Sequence, residues 1–396
     1  MAFGLSSKRY SPIGVDFGVD SIKLLQIVPT DPPQFVAAGA VSVPEAVRND
    51  PAARYAFVAD ALRDLTRTQP FKGRKVICSI PAWQMILHQF DLVRADGVDL
   101  DQQVGEELRE RLNIEPLRMV VRGFPVHEAG REGASRQEVI ALAIGRDAVM
   151  RYIDAARRAK LDVIGMHAEP VAVLRAFGHL YRRADDAQRT TCFIDIGAAT
   201  TKVVIAHGQT MVFARTIHAG GDQITQELAR DRKVSFDEAR LLRIRAVAAG
   251  RAGGASPTSD ASEDVPLMAT SRLRGVGAAL AAEPSVATGV RPVTTAPTAE
   301  DAIQCIIDEL QLCVRYHQSL FPNRRIEKLV FVGGEAHHVK HCQTIARALR
   351  IGAQLGDPLA RMVRLGQVVE PTGVDLRQPQ PGWAVPLGLC LSEANL

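Results

Sequence analysis

Short apolar runs alternate with polar stretches along this chain and divide it into predicted strands and helices. The run "PIGVDFG" followed by "SIKLLQIV" predicts two strands joined by a tight turn. Apolar side chains recur near helical spacing over residues 54–67, and "RKVICSIP" predicts another strand that Pro81 ends. Between residues 84 and 162, predicted strands surround a charged helix, which indicates an α+β insert.

The second half of the chain returns to a similar order. The segments "TCFIDIGAATTKVVIA" and "TMVFARTI", joined by the turn "HGQ", predict consecutive strands, and a glycine turn then leads into a helix. Residues 246–299 contain no aromatic residue and no cysteine and are dominated by small residues and proline. We therefore predict a disordered linker there. After this linker we expect a helix, which is followed by a strand, a double-glycine turn and a second helix.

One motif occurs twice, each time between two apolar strands. Each copy has an aspartate, a glycine two positions later and a lysine seven positions later: Asp16, Gly18 and Lys23, then Asp195, Gly197 and Lys202. Glycine in a turn lets backbone N–H groups approach a phosphate, and an aspartate carboxylate suits Mg²⁺ or its bound water. A single copy is most simply an ordinary turn, but two copies with the same spacing favour two hairpins that hold a nucleotide's phosphates.

Composition and charge narrow the class of protein. The chain has 396 residues, of which 46% are hydrophobic and 23% charged, and its formal net charge is +4. Such a mild charge predicts no nucleic-acid partner. We find neither a stretch of signal-peptide character nor a run of about 18 apolar residues, and the six cysteines form no CxxC pair. We therefore expect a reduced cytosolic protein of two or three lobes.

The order of the motifs resembles the actin/Hsp70/sugar-kinase superfamily, because the two hairpins are followed by Gly220-Gly221-Asp222 and Gly333-Gly334. Within it, "GVDFGVDSIKLLQI", "FVGGEAHHV" and "AVPLGLCL" resemble the type IV pilus assembly protein PilM family, which is related to FtsA and MreB. The resemblance covers about the whole chain except residues 246–299.

This resemblance implies an α/β fold, in which a duplicated actin-like, ribonuclease H-like βββαβα core forms two lobes around a nucleotide cleft. The first lobe would comprise residues 11–83 and 163–185, with residues 84–162 as an FtsA/PilM-type insert. The second lobe would comprise residues 186–245 and 300–396. The implied cofactors are ATP and Mg²⁺, with Asp16 and Asp195 nearest the metal through water or phosphate. The implied cofactor-binding residues are Asp16, Gly18, Lys23, Asp195, Gly197, Thr200, Lys202, Gly220, Gly221, Gly333 and Gly334.

The resemblance also implies a function and a partner. The protein would be a cytoplasmic ATP-binding scaffold of a pilus, competence or secretion system, peripheral to the inner membrane. It would bind the N-terminal cytosolic peptide of a PilN-like inner-membrane protein, in a groove beside the insert, without inserting into the membrane itself. Two alternatives are a small-molecule kinase and an FtsA/MreB-like filament former, and self-association is left open. The sequence names no water-positioning base, so we expect at most slow ATPase activity.

Several residues depart from the family's pattern or suggest other chemistry. Arg240 and Arg243 stand where relatives often carry Glu and Lys that reach the adenosine, which leaves the nucleotide preference open. Glu335 follows the last glycine pair and would repel phosphates unless the chain directs it away. The remaining candidates are His337 and His341, four apart on a predicted helix and interpreted as solvated rather than zinc-binding, and Cys305 and Cys313, interpreted as core residues.

Overall fold

The computed structural model describes residues 10–48, 50–95, 97–113, 115–126, 136–252, 299–363 and 371–396. Most of the predicted linker 246–299 lies outside these described residues, while residues 246–252 belong to a helix.

The described residues form thirteen strands. They are β1 (Ile13–Phe17), β2 (Ser21–Val28), β3 (Gln34–Ser42), β4 (Lys75–Ile80), β5 (Met85–Val93), β6 (Met119–Pro125), β7 (Arg136–Gly145), β8 (Asp162–Ala168), β9 (Thr190–Ile196), β10 (Thr201–His207), β11 (Thr210–Ile217), β12 (Lys328–Val332) and β13 (Ala353–Leu355).

Ten α-helices accompany these strands in the described part of the chain. They are α1 (Glu45–Arg48), α2 (Pro51–Thr68), α3 (Leu100–Leu112), α4 (Arg146–Arg158), α5 (Glu169–Ala176), α6 (Gly221–Arg232), α7 (Phe236–Ala252), α8 (Ala299–Leu320), α9 (Val339–Leu349) and α10 (Ala384–Cys390). Aspartates begin two of them: the carboxylate of Asp50 accepts hydrogen bonds from the first backbone amides of α2, and Asp99 does the same for α3.

Two five-stranded sheets have the same topology. The first has the order β3-β2-β1-β4-β8 and the second the order β11-β10-β9-β12-β13. In both, the first three strands pair antiparallel and the last two join in parallel. Parallel neighbours need a crossover connection, and helices supply it in each half. The predicted duplicated α/β core of two lobes is confirmed.

A third sheet of order β5-β7-β6 lies in sequence between β4 and α4. One face of it packs against α3 through Phe90, Val104 and Leu108, among others. The opposite face contributes Ile140 and Leu142 to the large core cluster that includes the second five-stranded sheet. The alternation of period two along these strands therefore joins this small sheet to the body of the protein.

The two halves meet where α5 and α10 pack against each other and against the first sheet. Both helices belong to the large core cluster, whereas β1, α2 and α4 supply a separate cluster on the other face of the first sheet. No helix within the described ranges is long and apolar enough to cross a bilayer.

One expectation about cysteine was wrong in part. Cys313 is buried on α8 as predicted, but Cys305 on the same helix is exposed. The two positions are eight residues apart, which at about 100° per residue places them roughly 80° apart around the helix axis. That rotation takes Cys305 off the core-facing stripe.

Candidate functional site

The seven-residue interval of the repeated motif is a consequence of hairpin register. Asp16 on β1 lies directly opposite Lys23 on β2, and Asp195 on β9 lies directly opposite Lys202 on β10. Side chains that face each other across an antiparallel pair have Cβ atoms about 4.5–5.5 Å apart. Each hairpin therefore presents one carboxylate and one ammonium group together, beside its glycine turn.

Both hairpins open onto one cavity of about 390 Å³ between the lobes. A cavity of this size lies in the range of roughly 300–1,000 Å³ that is usual for small-molecule sites. Nine of the eleven residues expected to bind the cofactor line it: Asp16, Gly18, Lys23, Asp195, Gly197, Thr200, Lys202, Gly333 and Gly334.

The other two expected residues, Gly220 and Gly221, lie behind the second hairpin and do not line this cavity. The backbone amide of Gly221 donates to the carbonyl oxygen of Gly197 at 3.0 Å. A Cβ on Gly220 would come within 2.5 Å of the carbonyl oxygen of Ala198. This glycine pair therefore packs directly against the backbone of the turn between β9 and β10.

A charged cluster surrounds the second hairpin. The Lys202 ammonium lies 3.0 Å from the Asp195 carboxylate and 3.2 Å from the carboxylate of Glu169, and all three side chains are buried. Burial opposes the charged form of Lys202, but the two carboxylates more than offset this effect and raise its pKa. Lys202 is thus a fixed positive charge on the cavity wall.

Glu169 is a member of the site that the sequence analysis missed. It is the first residue of α5, directly after β8, and it lines the cavity. Burial raises its pKa to about 7, although the neighbouring Lys202 opposes this shift. Burial therefore favours the neutral form of this carboxyl group, while its ion pair with Lys202 favours the charged form. The sequence offered one signal for Glu169: it is an acidic residue between the end of a predicted strand and Pro170, and proline is common in the first turn of helices.

The first hairpin differs in its contacts. Burial raises the pKa of Asp16, while Lys23 and then Lys202 oppose that shift. The hydroxyl of Ser79 donates to the Asp16 carboxylate at 3.3 Å. The Lys23 ammonium donates to the carbonyl oxygen of Gly382 at 2.8 Å, a contact that links β2 to the turn before α10. Asp16 is therefore buried without a direct ion pair within 4.0 Å among the described residues.

Gly333 has a backbone that requires glycine. Its φ is +92°, and a Cβ there would collide with the carbonyl oxygen of Ile196 and with Oδ1 of Asp195. The double-glycine turn can therefore lie directly against the end of β9. A ligand that reaches Gly334 would lie beside bare backbone, which fits a flat, apolar group.

Two of the residues that depart from the family's pattern, Arg243 and Glu335, contact each other. The Arg243 guanidinium on α7 forms an ion pair with the Glu335 carboxylate, and it also donates to the carbonyl oxygen of Gly221 at 2.7 Å and to the hydroxyl of Thr225 at 2.6 Å. The missing side chain of Gly221 leaves the space that the Glu335 carboxylate occupies. Burial raises the pKa of Glu335, and Arg243 opposes that shift. Arg243 therefore neutralises the acidic group expected to repel phosphates.

Besides the Lys202–Glu169 pair, two further ion pairs near the cavity connect the lobes. Arg240 on α7 contacts Asp20 in the turn of the first hairpin at 2.7 Å, and Arg48 on α1 contacts Asp222 on α6 at 3.3 Å. Arg240 is thus committed to the opposite lobe. Both arginines at the expected adenosine position consequently have protein partners.

The residues of the cavity fit a nucleotide and a hard cation. Asp16 and Asp195 offer carboxylate oxygens, Lys23 and Lys202 offer positive charge, and the turns at Gly18 and Gly197 offer backbone without a Cβ. No group of three or more His, Cys, Asp or Glu side chains in the described residues is arranged to hold a metal. A cation here would complete its shell with water or phosphate oxygens.

The histidines near the double glycine are not on one helix. His337 ends a short 3-10 turn and α9 begins only at Val339, so the predicted i, i+4 pair of His337 and His341 is wrong in its geometry. His338 lies 3.6 Å from Glu335, and its ring stacks on that of His341. The second ring is partly covered, which lowers the pKa of His341 to about 4.

Two lobes of equal topology, each presenting an Asp–Lys hairpin to a common cavity, define an actin-like two-lobed protein. The model of the type IV pilus assembly protein PilM family matches residues 14–247, more than half of the chain, and the chain therefore belongs to that family. The model of the cell division protein FtsA matches residues 192–379.

The chain is also similar to solved structures. A chain described as "PilM-PilN type IV pilus biogenesis complex" has a TM-score of 0.71 and 18% identity, over 96% of this chain and 98% of that chain. The ethanolamine utilization protein EutJ from Carboxydothermus hydrogenoformans has a TM-score of 0.49 and 15% identity, over 97% of this chain and 89% of that chain. At 18% identity, the first likeness establishes the actin-like fold.

Proposed function

We propose that this PilM-family protein is a cytoplasmic scaffold of type IV pilus assembly that binds ATP with Mg²⁺ between its lobes. The observation that carries the proposal is the convergence of nine expected residues on one cavity. Charge supports it as well, since the cavity combines the buried carboxylates of Asp16 and Asp195 with the ammonium groups of Lys23 and Lys202.

We assign separate roles to the residues of the cavity. Asp16 and Asp195 would hold Mg²⁺ through water or phosphate oxygens, and the ion would neutralise phosphate charge when bound. Lys202 would face the phosphates, and Gly333 and Gly334 would lie beside the adenosine. Glu169 is the candidate proton acceptor for an attacking water. Its carboxylate is held by the ion pair with Lys202, so we expect hydrolysis to be slow at most.

Nucleotide binding is testable by thermal unfolding of the whole chain. ATP with Mg²⁺ should raise the melting temperature, because a ligand at 100 times its Kd stabilises the folded state by about 2.7 kcal/mol. Asp195→Asn and Asp16→Asn should each abolish most of this rise. Asp60→Asn, an exposed change on α2, is the matched control and should retain it. A wild-type protein that no nucleotide stabilises would refute this part of the proposal.

We further propose that the chain divides into functional parts as its sequence indicates. Residues 11–83 and 163–185 would form one lobe, residues 186–245 and 300–396 the other, and residues 84–162 the subdomain that recruits the partner. The partner would be the N-terminal cytosolic peptide of a PilN-like inner-membrane protein, which would make this protein peripheral to the membrane. The similar solved structure, which is described as a complex of PilM with PilN, supports this choice.

The edge strand β6 is the best docking surface on that subdomain. It is the last strand of its sheet, and most of its residues are only partly buried. Directly before it, Leu117 is 83% exposed. An exposed edge with an apolar neighbour accepts an extended peptide through backbone pairing and a shallow pocket.

A pair of substitutions tests this surface. Leu117→Asp should weaken binding of the partner peptide by about tenfold or more, as loss of an interface anchor does. Val93→Asp is the matched control, because Val93 is 57% exposed at the opposite end of the same sheet. Isothermal titration calorimetry with the synthetic peptide measures both. Equal losses in the two variants, or none in either, would place the peptide elsewhere.

A further inference from the structure

A second cavity, of about 230 Å³, lies between the lobes beside the nucleotide cavity. Val19 and Ala199, from the turns of the two hairpins, line both cavities, and so does Trp83. The second cavity is otherwise lined from both lobes, with Arg48 and Arg54 on one side and Asp222 and Phe236 on the other. No residue expected to bind the nucleotide lines it.

Three buried hydrogen-bond donors, on side chains that line this cavity, lack an acceptor among the described residues. Nη2 of Arg48, Nε of Arg54 and Nε1 of Trp83 are buried, and none has a hydrogen-bond partner among the described residues. Buried donors are rarely left without partners, since each costs roughly 1–3 kcal/mol. Three of them on side chains that line one cavity indicate an occupant rich in acceptor oxygens.

One positive charge of the cavity, that of Arg54, has no carboxylate partner among the described residues. Arg54 is 1% exposed, and its guanidinium donates to the backbone carbonyl oxygens of Gly18 at 2.7 Å and Val19 at 3.0 Å. The carbonyl oxygens and the Trp83 ring, whose centroid lies 5.4 Å from the guanidinium carbon, attract this charge but do not neutralise it. Asp222 balances Arg48, and the remaining acidic residue of the lining, Glu45, is exposed.

We propose that this second cavity binds a small tetrahedral oxyanion with the chemistry of phosphate, held by Arg48, Arg54 and Trp83. Guanidinium groups bind phosphate oxygens through strong charge-assisted hydrogen bonds, and the indole N–H adds a neutral donor. The occupant would lie next to the two phosphate hairpins without using their aspartates or lysines. Free phosphate and the terminal phosphate of a bound nucleotide are two sources of the same group.

Titration of the nucleotide-free full-length protein with inorganic phosphate tests the site by calorimetry. Arg48→Met should weaken phosphate binding by about 10- to 100-fold, as expected for loss of a charged hydrogen bond. Trp83→Phe keeps the aromatic bulk, removes only the indole donor and should weaken binding by about 2- to 10-fold. Arg63→Met, an exposed change on α2 outside both cavities, is the matched control and should leave phosphate binding unchanged, whereas Lys23→Met reports any binding in the neighbouring nucleotide cavity.

Several results would overturn the proposal. Phosphate binding that is lost in Lys23→Met but kept in Arg48→Met would place the anion in the nucleotide cavity. Absence of phosphate binding to the wild type, or a Trp83→Phe variant that binds phosphate as the wild type does, would show that water satisfies these donors. None of these results depends on nucleotide binding, so this site and the proposed ATP site fail separately.

A second titration distinguishes the sources. Phosphate that still binds to both the ADP-loaded and the ATP-loaded protein identifies free phosphate as the occupant. Phosphate that is displaced by ATP but not by ADP identifies the terminal phosphate of the nucleotide. Either result supports an oxyanion site at Arg48 and Trp83.

Discussion

Removal of the Arg243 guanidinium tests the cleft most directly, because it leaves the largely buried Glu335 carboxylate without its ion-pair partner. In Arg243→Met, the Glu335 carboxylate loses its ion-pair partner, and the carbonyl oxygen of Gly221 and the hydroxyl of Thr225 lose a donor. Breaking a fully buried pair costs about 3–5 kcal/mol. The Glu335 side chain is 19% exposed, so water recovers part of this loss, and we expect destabilisation of about 2–4 kcal/mol.

A double-mutant cycle in urea measures how strongly the two residues interact. Glu335→Gln removes the charge and keeps the shape, so the double variant should be less destabilised than the sum of the two single variants. The difference between them should be about 1–3 kcal/mol, as for residues in direct contact. Destabilisations that simply add would refute the reasoning, since they would show that Arg243 acts through other contacts.

The pH dependence of the Arg243→Met variant provides a second check. Burial already raises the pKa of Glu335 above its ordinary 4.5, and loss of Arg243 removes the charge that opposes this rise. A carboxyl whose folded pKa lies above its unfolded value favours folding most at low pH and less as pH rises through the folded value. The extra destabilisation of Arg243→Met should therefore be small below about pH 4.5 and grow towards neutrality.

Two further predictions concern backbone fit and buried histidines. Gly333→Ala should destabilise the protein by about 1–3 kcal/mol and reduce stabilisation by ATP, because its Cβ would displace Asp195. Gly73→Ala is the control, because Gly73 also has a positive φ but a Cβ there would have no neighbour within 4 Å. An equal loss of ATP stabilisation in Gly73→Ala would contradict this cause. His207 and His317 face each other at 3.1 Å, and burial lowers their pKa values to about 3 and about 4. Since both folded pKa values lie below the ordinary 6.5, the free energy of unfolding should fall as pH drops from about 6.5 towards 4. The variant His317→Gln, measured by urea denaturation, should show a smaller fall. An unchanged pH profile in this variant would exclude the histidine pair as the source.

Features of the site that depend on local pattern could be predicted from the sequence. The two hairpins could be predicted from alternation and turn residues, but the position of Lys23 opposite Asp16 depends on the register that the structure shows. The duplicated βββαβα core was implied instead by the resemblance to the actin-like superfamily. His337 and His341 failed because a 3-10 turn delays the start of α9, a shift of two residues that periodicity cannot resolve.

Contacts between distant parts of the chain could not be predicted in the same way. Glu169 resembles any acidic residue at the start of a helix until β10 of the other half places Lys202 beside it. Arg243 and Glu335 are 92 positions apart, and each alone appeared as an unfavourable departure. A single sequence shows charges but not which of them meet, since meeting depends on how the two sheets face each other across the cleft.

The register of the two hairpins restricts how their turns can change in length. Asp16 pairs with Lys23 and Asp195 pairs with Lys202 only because each turn has its present number of residues. A shift of pairing by one residue moves every following side chain of a strand to the opposite face of its sheet. A single insertion in either turn that shifts this register would thus turn a lysine away from the cavity and bring Ile22 or Thr201 opposite the aspartate. Substitutions in these two turns can be accommodated one at a time, whereas insertions and deletions would have to be excluded from both.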